Sequence, residues 1–216
     1  MTLSTLHRYS RGAAVVLLAG LLAGCATAYK PIPYDQLAYT GQQDSNGLAF
    51  SYRYDAVPGY YGKKLRKRGY SAVAVRVTNT TDAAVTLDRN SLRLLAGASP
   101  LQPLAPEIVA DHADQPVWTY LLYGLLNLQI YSEDSSTFIP IGLPIALLNI
   151  IQSSSANRNA EKAYTEGYLL GQEVPPGGTV EGLLFVHETG YAPLRFEYAS
   201  PQPAPPAPPA EPATAG

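Results

Sequence analysis

Apolar and polar residues alternate with a period of two in several short runs of this chain. Leu48, Phe50, Tyr52 and Tyr54 interleave with Ala49, Ser51 and Arg53, the pattern of a strand with one buried face. Val73, Val75 and Val77 repeat it and stop at Asn79-Thr80-Thr81-Asp82, a turn cluster. Val85 and Leu87 follow, then Leu92 and Leu94 beyond Asp88-Arg89-Asn90. Late in the chain, Pro175-Pro176-Gly177-Gly178 predicts a tight turn into a strand from Val180 to Val186. Leu194, Phe196 and Tyr198 form a last strand, with Arg195 and Glu197 facing outward. Short strands with turn signals about every 8–12 residues predict a mainly β chain, an antiparallel immunoglobulin-like β-sandwich. The Cys…Trp…Cys pattern of true immunoglobulin domains is missing.

Residues 103–172 break this rhythm. Val117 to Tyr131 is apolar at 11 of 15 positions, and Trp118, Leu121, Leu122 and Leu125 follow helical spacing. Ser132 to Thr137 is a polar turn, and a second apolar stretch runs from Phe138 to Ile151. Pro144 suits the first turn of a helix, which continues through Asn157, Arg158, Glu161, Lys162 and Glu166. The expectation is an apolar helical hairpin inserted between early and late strands. Each arm is short of the roughly 20 residues that cross a bilayer. The hairpin therefore either packs on the sandwich or offers Trp118, Leu121, Leu122 and Leu125 as an apolar interaction surface.

The chain opens on a different pattern. Arg8 and Arg11 precede the apolar run 13–24, which has the order and length of a secretory signal rather than a membrane span. The run ends in Leu22-Ala23-Gly24-Cys25, which resembles the lipobox of bacterial lipoproteins. That resemblance implies acylation of Cys25, cleavage after Gly24 and, because Ala26 rather than Asp follows, sorting to the outer membrane, facing the periplasm. Two or three acyl chains hold a protein stably where one does not. Removal of 1–24 takes away Arg8 and Arg11 and leaves 13 basic against 17 acidic residues, a formal charge of −4. Such a balance argues against a general polyanion binder and against nucleic acid as a partner. Residues 25–46 read as a lipidated tether, 47–199 as the sandwich domain with its insertion at about 103–172, and 200–216 as a Pro/Ala-rich disordered tail holding seven of the 19 prolines.

Composition narrows the chemistry. The 15% charged residues fall below the roughly 25% of ordinary soluble domains and argue against coiled coils. One Cys in the whole chain excludes an internal disulfide and a cysteine-rich zinc site. His112 and His187 lie far apart with no ligand spacing, so no metal is implied. Asp111-His112-Ala113-Asp114 reads as a surface loop and Glu133-Asp134 as a solvated turn. No nucleophile elbow, phosphate loop or dinucleotide glycine pattern occurs, so neither catalysis nor a cofactor is expected. Lys63, Lys64, Arg66, Lys67 and Arg68 cluster in an expected loop flanked by Tyr60, Tyr61 and Tyr70. They are either a solvated turn or a contact for anionic lipid or glycan. Sixteen Tyr against four Phe and one Trp favour half-wet, binding-type surfaces. The expectation is a non-enzymatic envelope lipoprotein with a structural or protein-interaction role and an envelope protein as partner. A lipid- or glycan-binding module is the alternative.

Overall fold

A computed structural model describes residues 26–131, 136–188 and 190–199. Cys25, the signal segment, Glu133-Asp134 and the Pro/Ala-rich tail lie outside the described residues. The strands β1 (Thr40–Ser45), β2 (Leu48–Arg53), β3 (Ser71–Asn79) and β10 (Thr179–Val186) form one antiparallel sheet in that order. A second antiparallel sheet has the order β11 (Leu194–Tyr198), β5 (Leu92–Ala96), β6 (Ser99–Leu101). Two small pairs complete the strands: β4 (Val85–Thr86) with β9 (Glu173–Val174), and β7 (Leu128–Tyr131) with β8 (Ser136–Ile139). Three α-helices, α1 (Gly59–Lys67), α2 (Pro106–Ala113) and α3 (Gly142–Glu166), and 3-10 helices at Tyr34–Gln36 and Val117–Leu125 bring helix content level with strand content. Antiparallel sheets are therefore present, but the chain is not mainly β.

The reason lies in β3 and β10. On one face Phe50, Val73, Val75, Val77, Leu184 and Val186 meet Leu94, Leu194 and Phe196 of the second sheet in one core. The rings of Phe50 and Phe196 stack with centroids 4.9 Å apart, worth about 0.5–1.5 kcal/mol beyond area burial. The alternate residues Ala72, Ala74, Leu183 and Phe185 face the other way and are also buried, against Tyr61, Leu65, Val109, Ala156, Ala160 and Tyr164 of the helices. The small side chains on β3 leave room for that helix layer. Three layers result: helices, the four-stranded sheet, and the three-stranded sheet.

Three further expectations are corrected. The supposed tether belongs to the fold: Tyr29, Ile32, Tyr34 and Leu37 pack on the helix-side core, and residues 40–45 are β1. Gln43 mimics a strand partner, its Nε2 donating to the Phe196 carbonyl at 2.6 Å and its Oε1 accepting the Phe196 N–H at 3.2 Å. This stitches the edges of the two sheets together. The basic run 63–68 is no loop either, because Tyr61 and Leu65, four apart, supply the buried stripe of α1. Gly62 lies so close to the Val57 carbonyl that a Cβ there would overlap it. Asp111 to Ala113 form the last turn of α2, not a loop, with Pro106 at the helix start.

The insertion is helical only in part. Val117–Leu125 forms a 3-10 helix, and the expected first arm then turns into the β7–β8 hairpin, pairing Leu128 with Ile139 and Tyr131 with Ser136. Alternating β-branched and aromatic residues on both sides of a polar turn favour that outcome. The second arm is the 25-residue α3, which continues through the polar segment to Glu166 as its sequence predicts. Gly142 starts it: its N–H donates to the Leu126 carbonyl at 2.9 Å, and a Cβ there would overlap the Tyr123 and Leu126 carbonyls.

Tyr164 is fully buried in the helix-side core and its hydroxyl has no hydrogen-bond partner. Tyr164→Phe should therefore leave stability unchanged or raise it by about 1 kcal/mol, since no bond is lost and an unsatisfied group is removed. Tyr164→Ala should cost about 3–5 kcal/mol, the price of a large ring deleted from a core. Urea unfolding of both variants reads the difference directly.

Candidate functional site

Three helices and the incoming chain meet at a buried cluster of amides. Gln115, just after α2, is 3% exposed, and Asn149 and Asn157 of α3 are 4% and 8% exposed. The Asn157 Oδ1 accepts from the Gln115 N–H and from the Tyr61 hydroxyl of α1, both at 2.9 Å. Asn157 Nδ2 donates to the Gln115 carbonyl at 3.1 Å. The Gln115 side chain reaches on to residue 27: its Nε2 donates to the Thr27 carbonyl at 2.6 Å and its Oε1 accepts the Thr27 N–H at 2.9 Å. One residue earlier, the Ala26 N–H donates to Asn149 Oδ1 at 2.6 Å. Buried polar groups survive in a core only when satisfied in this way. The chain emerging from position 25 is thereby clasped to α3.

Beside this clasp the surface is apolar. Trp118, Leu121, Leu122 and Leu125 are all brought to the outside, Trp118 at 68% and Leu125 at 75% exposure. Phe138 and Tyr131 of the β7–β8 hairpin and Leu143, Leu147, Leu148 and Ile151 of α3 are exposed as well, with Leu143 beside Gly124 of the 3-10 helix. Of the two readings of this insertion, exposure is the one realised. The first half of α3 is inverted relative to an ordinary surface helix. Its buried stripe is Gly142, Ala146, Asn149, Ser153, Ala156 and Asn157, small or polar residues at three- and four-residue spacing, while its leucines point outward. The switch comes near Gln152, beyond which Arg158, Asn159, Glu161 and Lys162 take the outer positions. No charged residue occurs among described residues 115–131 and 136–157.

The basic cluster lies on α1, separate in its chemistry from the apolar face. Lys63, Lys67 and Arg68 are exposed. Two of the five cations are engaged within the fold: Lys64 Nζ donates to the Asp114 carbonyl, and Arg66 lies 3.5 Å from the Asp55 carboxylate. Burial, then the neighbouring Arg68 charge, pulls the Lys64 pKa down. Burial, then Asp111, pushes that of Asp114 up. His112 and His187, distant in sequence, are brought to opposite partners of one ring. Tyr70 stacks on His112 at 5.5 Å, its hydroxyl 2.9 Å from Nδ1, and meets His187 edge-on at 5.4 Å. Among the described residues no group of three His, Cys, Asp or Glu is placed to hold a metal, and no helix is long and apolar enough to cross a membrane.

Sequence reasoning found the apolar residues of the 3-10 helix and missed the outward stripe of α3 and the clasp. The signal for the stripe was present: Leu143, Leu147 and Ile151 share one helical face, and Gly142, Ala146, Asn149 and Ser153 share another. No family model, curated protein or solved structure matches the chain.

Asn157→Ala removes an acceptor from Tyr61 and Gln115 and leaves both buried without it, so it should cost about 2–4 kcal/mol by urea unfolding, one unsatisfied group costing about 1–3 kcal/mol. The tyrosines around the clasp also set an alkaline limit. Burial pushes Tyr29 and Tyr61 up to about 12, against about 10 in an unfolded chain. A raised folded pKa means that the contribution is complete below about pH 10 and is lost as pH climbs from there toward 12. Melting temperature should hold between pH 7 and 9 and fall steeply above pH 10. The part of the phenolate absorbance that comes from the buried tyrosines should rise with unfolding rather than before it.

Proposed function

We propose that the chain is an outer-membrane lipoprotein, acylated on Cys25 and facing the periplasm, with a structural or protein-holding role in the envelope. The anchoring rests on the lipobox-like Leu22-Ala23-Gly24-Cys25 sequence, and what supports the holding role is the attachment of Ala26 to Asn149 and of Thr27 to Gln115. An anchor on Cys25 would leave no slack between the lipid and the body of the protein. The three layers would then be held directly at the bilayer surface, as suits a fixed scaffold better than a tethered binding module. An immunoglobulin-like sandwich for the strand layers is part of the reading, and what supports it is the face-to-face packing of two antiparallel sheets through Phe50 and Phe196.

Cys25→Ala should move the protein out of the outer-membrane fraction, and palmitate labelling should disappear with it. Retention of the label in the variant would refute acylation at this residue. Photo-crosslinking in cells should return one recurrent envelope protein; a smear with no recurrent band would refute the holding role.

A further inference from the structure

We infer that the exposed apolar face made by the 3-10 helix 117–125, the β7–β8 hairpin and the first half of α3 is a monotopic membrane seat, immersed in the same leaflet that receives the acyl chains of Cys25. The inference rests on the anchoring proposed above and extends it from a point of attachment to a surface.

Four observations select a bilayer as the occupant. The first is the inversion of α3: Gly142, Ala146, Asn149 and Ser153 face the protein while Leu143, Leu147, Leu148 and Ile151, each more than half exposed, face away. Small residues at the helix contact and leucines outside are what lipid, rather than water, selects. The second is length. The stretch from Gly142 to Ile151 rises about 15 Å at 1.5 Å per residue, and the hydrocarbon core is about 30 Å thick. It suffices for one leaflet and not for two. The third is the level of the anchor. Ala26 is bonded to Asn149, within a turn of Gln152, where the outer face of α3 begins to turn polar. Ala26, the residue that follows the proposed acyl attachment in sequence, and the apolar-to-polar boundary thus lie at one depth, as the glycerol level of a leaflet requires.

The fourth is the character of the surface itself. No charged side chain occurs among described residues 115–131 and 136–157, as immersion of those residues in a leaflet requires; the acidic pair Glu133-Asp134 stands between the two stretches in sequence. The apolar face also adjoins the incoming chain. An open groove of about 480 Å³ between Ala28 and Tyr29 on one side and Leu148, Ile151 and Ser155 on the other connects the two. Trp118 and Tyr131, at 68% and 74% exposure, have the amphipathic rings that favour the headgroup boundary.

Trp118 is the single tryptophan of the chain and reports on the seat directly. The full protein, purified from membranes and reconstituted into phosphatidylethanolamine–phosphatidylglycerol vesicles, should show blue-shifted emission. Lipids brominated on their acyl chains should quench it several-fold, aqueous iodide only weakly, and salt should change neither. Quenching by iodide but not by bromolipid would place the face in water and overturn the inference. Protection from both quenchers would mean that protein, such as a second copy of the chain, covers it, and would overturn the inference equally. The triple variant Leu121→Glu, Leu147→Glu, Leu148→Glu changes only exposed positions; it should keep its circular dichroism and return Trp118 to iodide. Mass analysis of the peptide containing Cys25 separates the two readings. Acylated Cys25 with iodide-accessible Trp118 leaves the anchor standing and the seat refuted. Unmodified Cys25 with bromolipid quenching does the reverse.

Discussion

The hydrogen-bonded pair of Gln115 and Asn157 is the constraint on which the helix layer depends. It ties the end of α2 to the middle of α3, recruits the Tyr61 hydroxyl of α1, and passes through Gln115 to the backbone of Thr27. Each of these amides is buried, and in a low-dielectric interior an amide without partners costs about 1–3 kcal/mol. The network is therefore satisfied as a whole or not at all. Because its members come from four separated stretches of chain, satisfying it fixes their mutual positions. Apolar contacts alone, which carry no direction, would have left α3 free to slide or rotate.

That rotation matters because of what α3 carries. With Asn149 and Asn157 held inward by hydrogen bonds to Ala26, Tyr61 and Gln115 and Gly142 wedged against the carbonyls of Tyr123 and Leu126, the leucines of its first half have nowhere to go but outward. Rotation of the helix by about half a turn would bury them and expose the asparagines. The outward apolar face is thus the consequence of polar groups satisfied inside, and the same residues that close the core set the orientation of the surface.

The sheet core follows a simpler logic, and it was legible. Alternating Leu48, Phe50 and Tyr52, the valines of β3 and the late strand ending in Tyr198 all appear where their period predicts. The turn at Pro175-Pro176-Gly177-Gly178 also forms, with the Gly178 N–H donating to the Pro175 carbonyl at 2.9 Å. The helix layer over the sheet was not legible, since Ala72 and Ala74 look like the neutral side of a half-buried strand. Only the presence of α1, α2 and α3 above them turns two alanines into a packing surface. The stretch before β2 misled for a related reason. Its glycines, glutamines and serine have little strand preference of their own, and Gln43 becomes part of a ladder only because the Phe196 backbone lies opposite.

By itself, then, the amino-acid sequence determined the local periods: which residues alternate, where turns fall, and that the apolar arms 117–131 and 138–151 are each too short to cross a bilayer. It also set the basic-apolar-Cys25 order from which the anchoring proposal comes. The tertiary structure decided which apolar residues are inside. Burial of Leu or Ala depends on what lies across from it, and in this chain the polar partners of α3 are the Ala26 N–H, the Tyr61 hydroxyl and the Gln115 backbone. Hydrogen-bond partners so distant in sequence leave no periodic trace, so the inward turn of the asparagines and the outward turn of the leucines exist only once the layers have assembled.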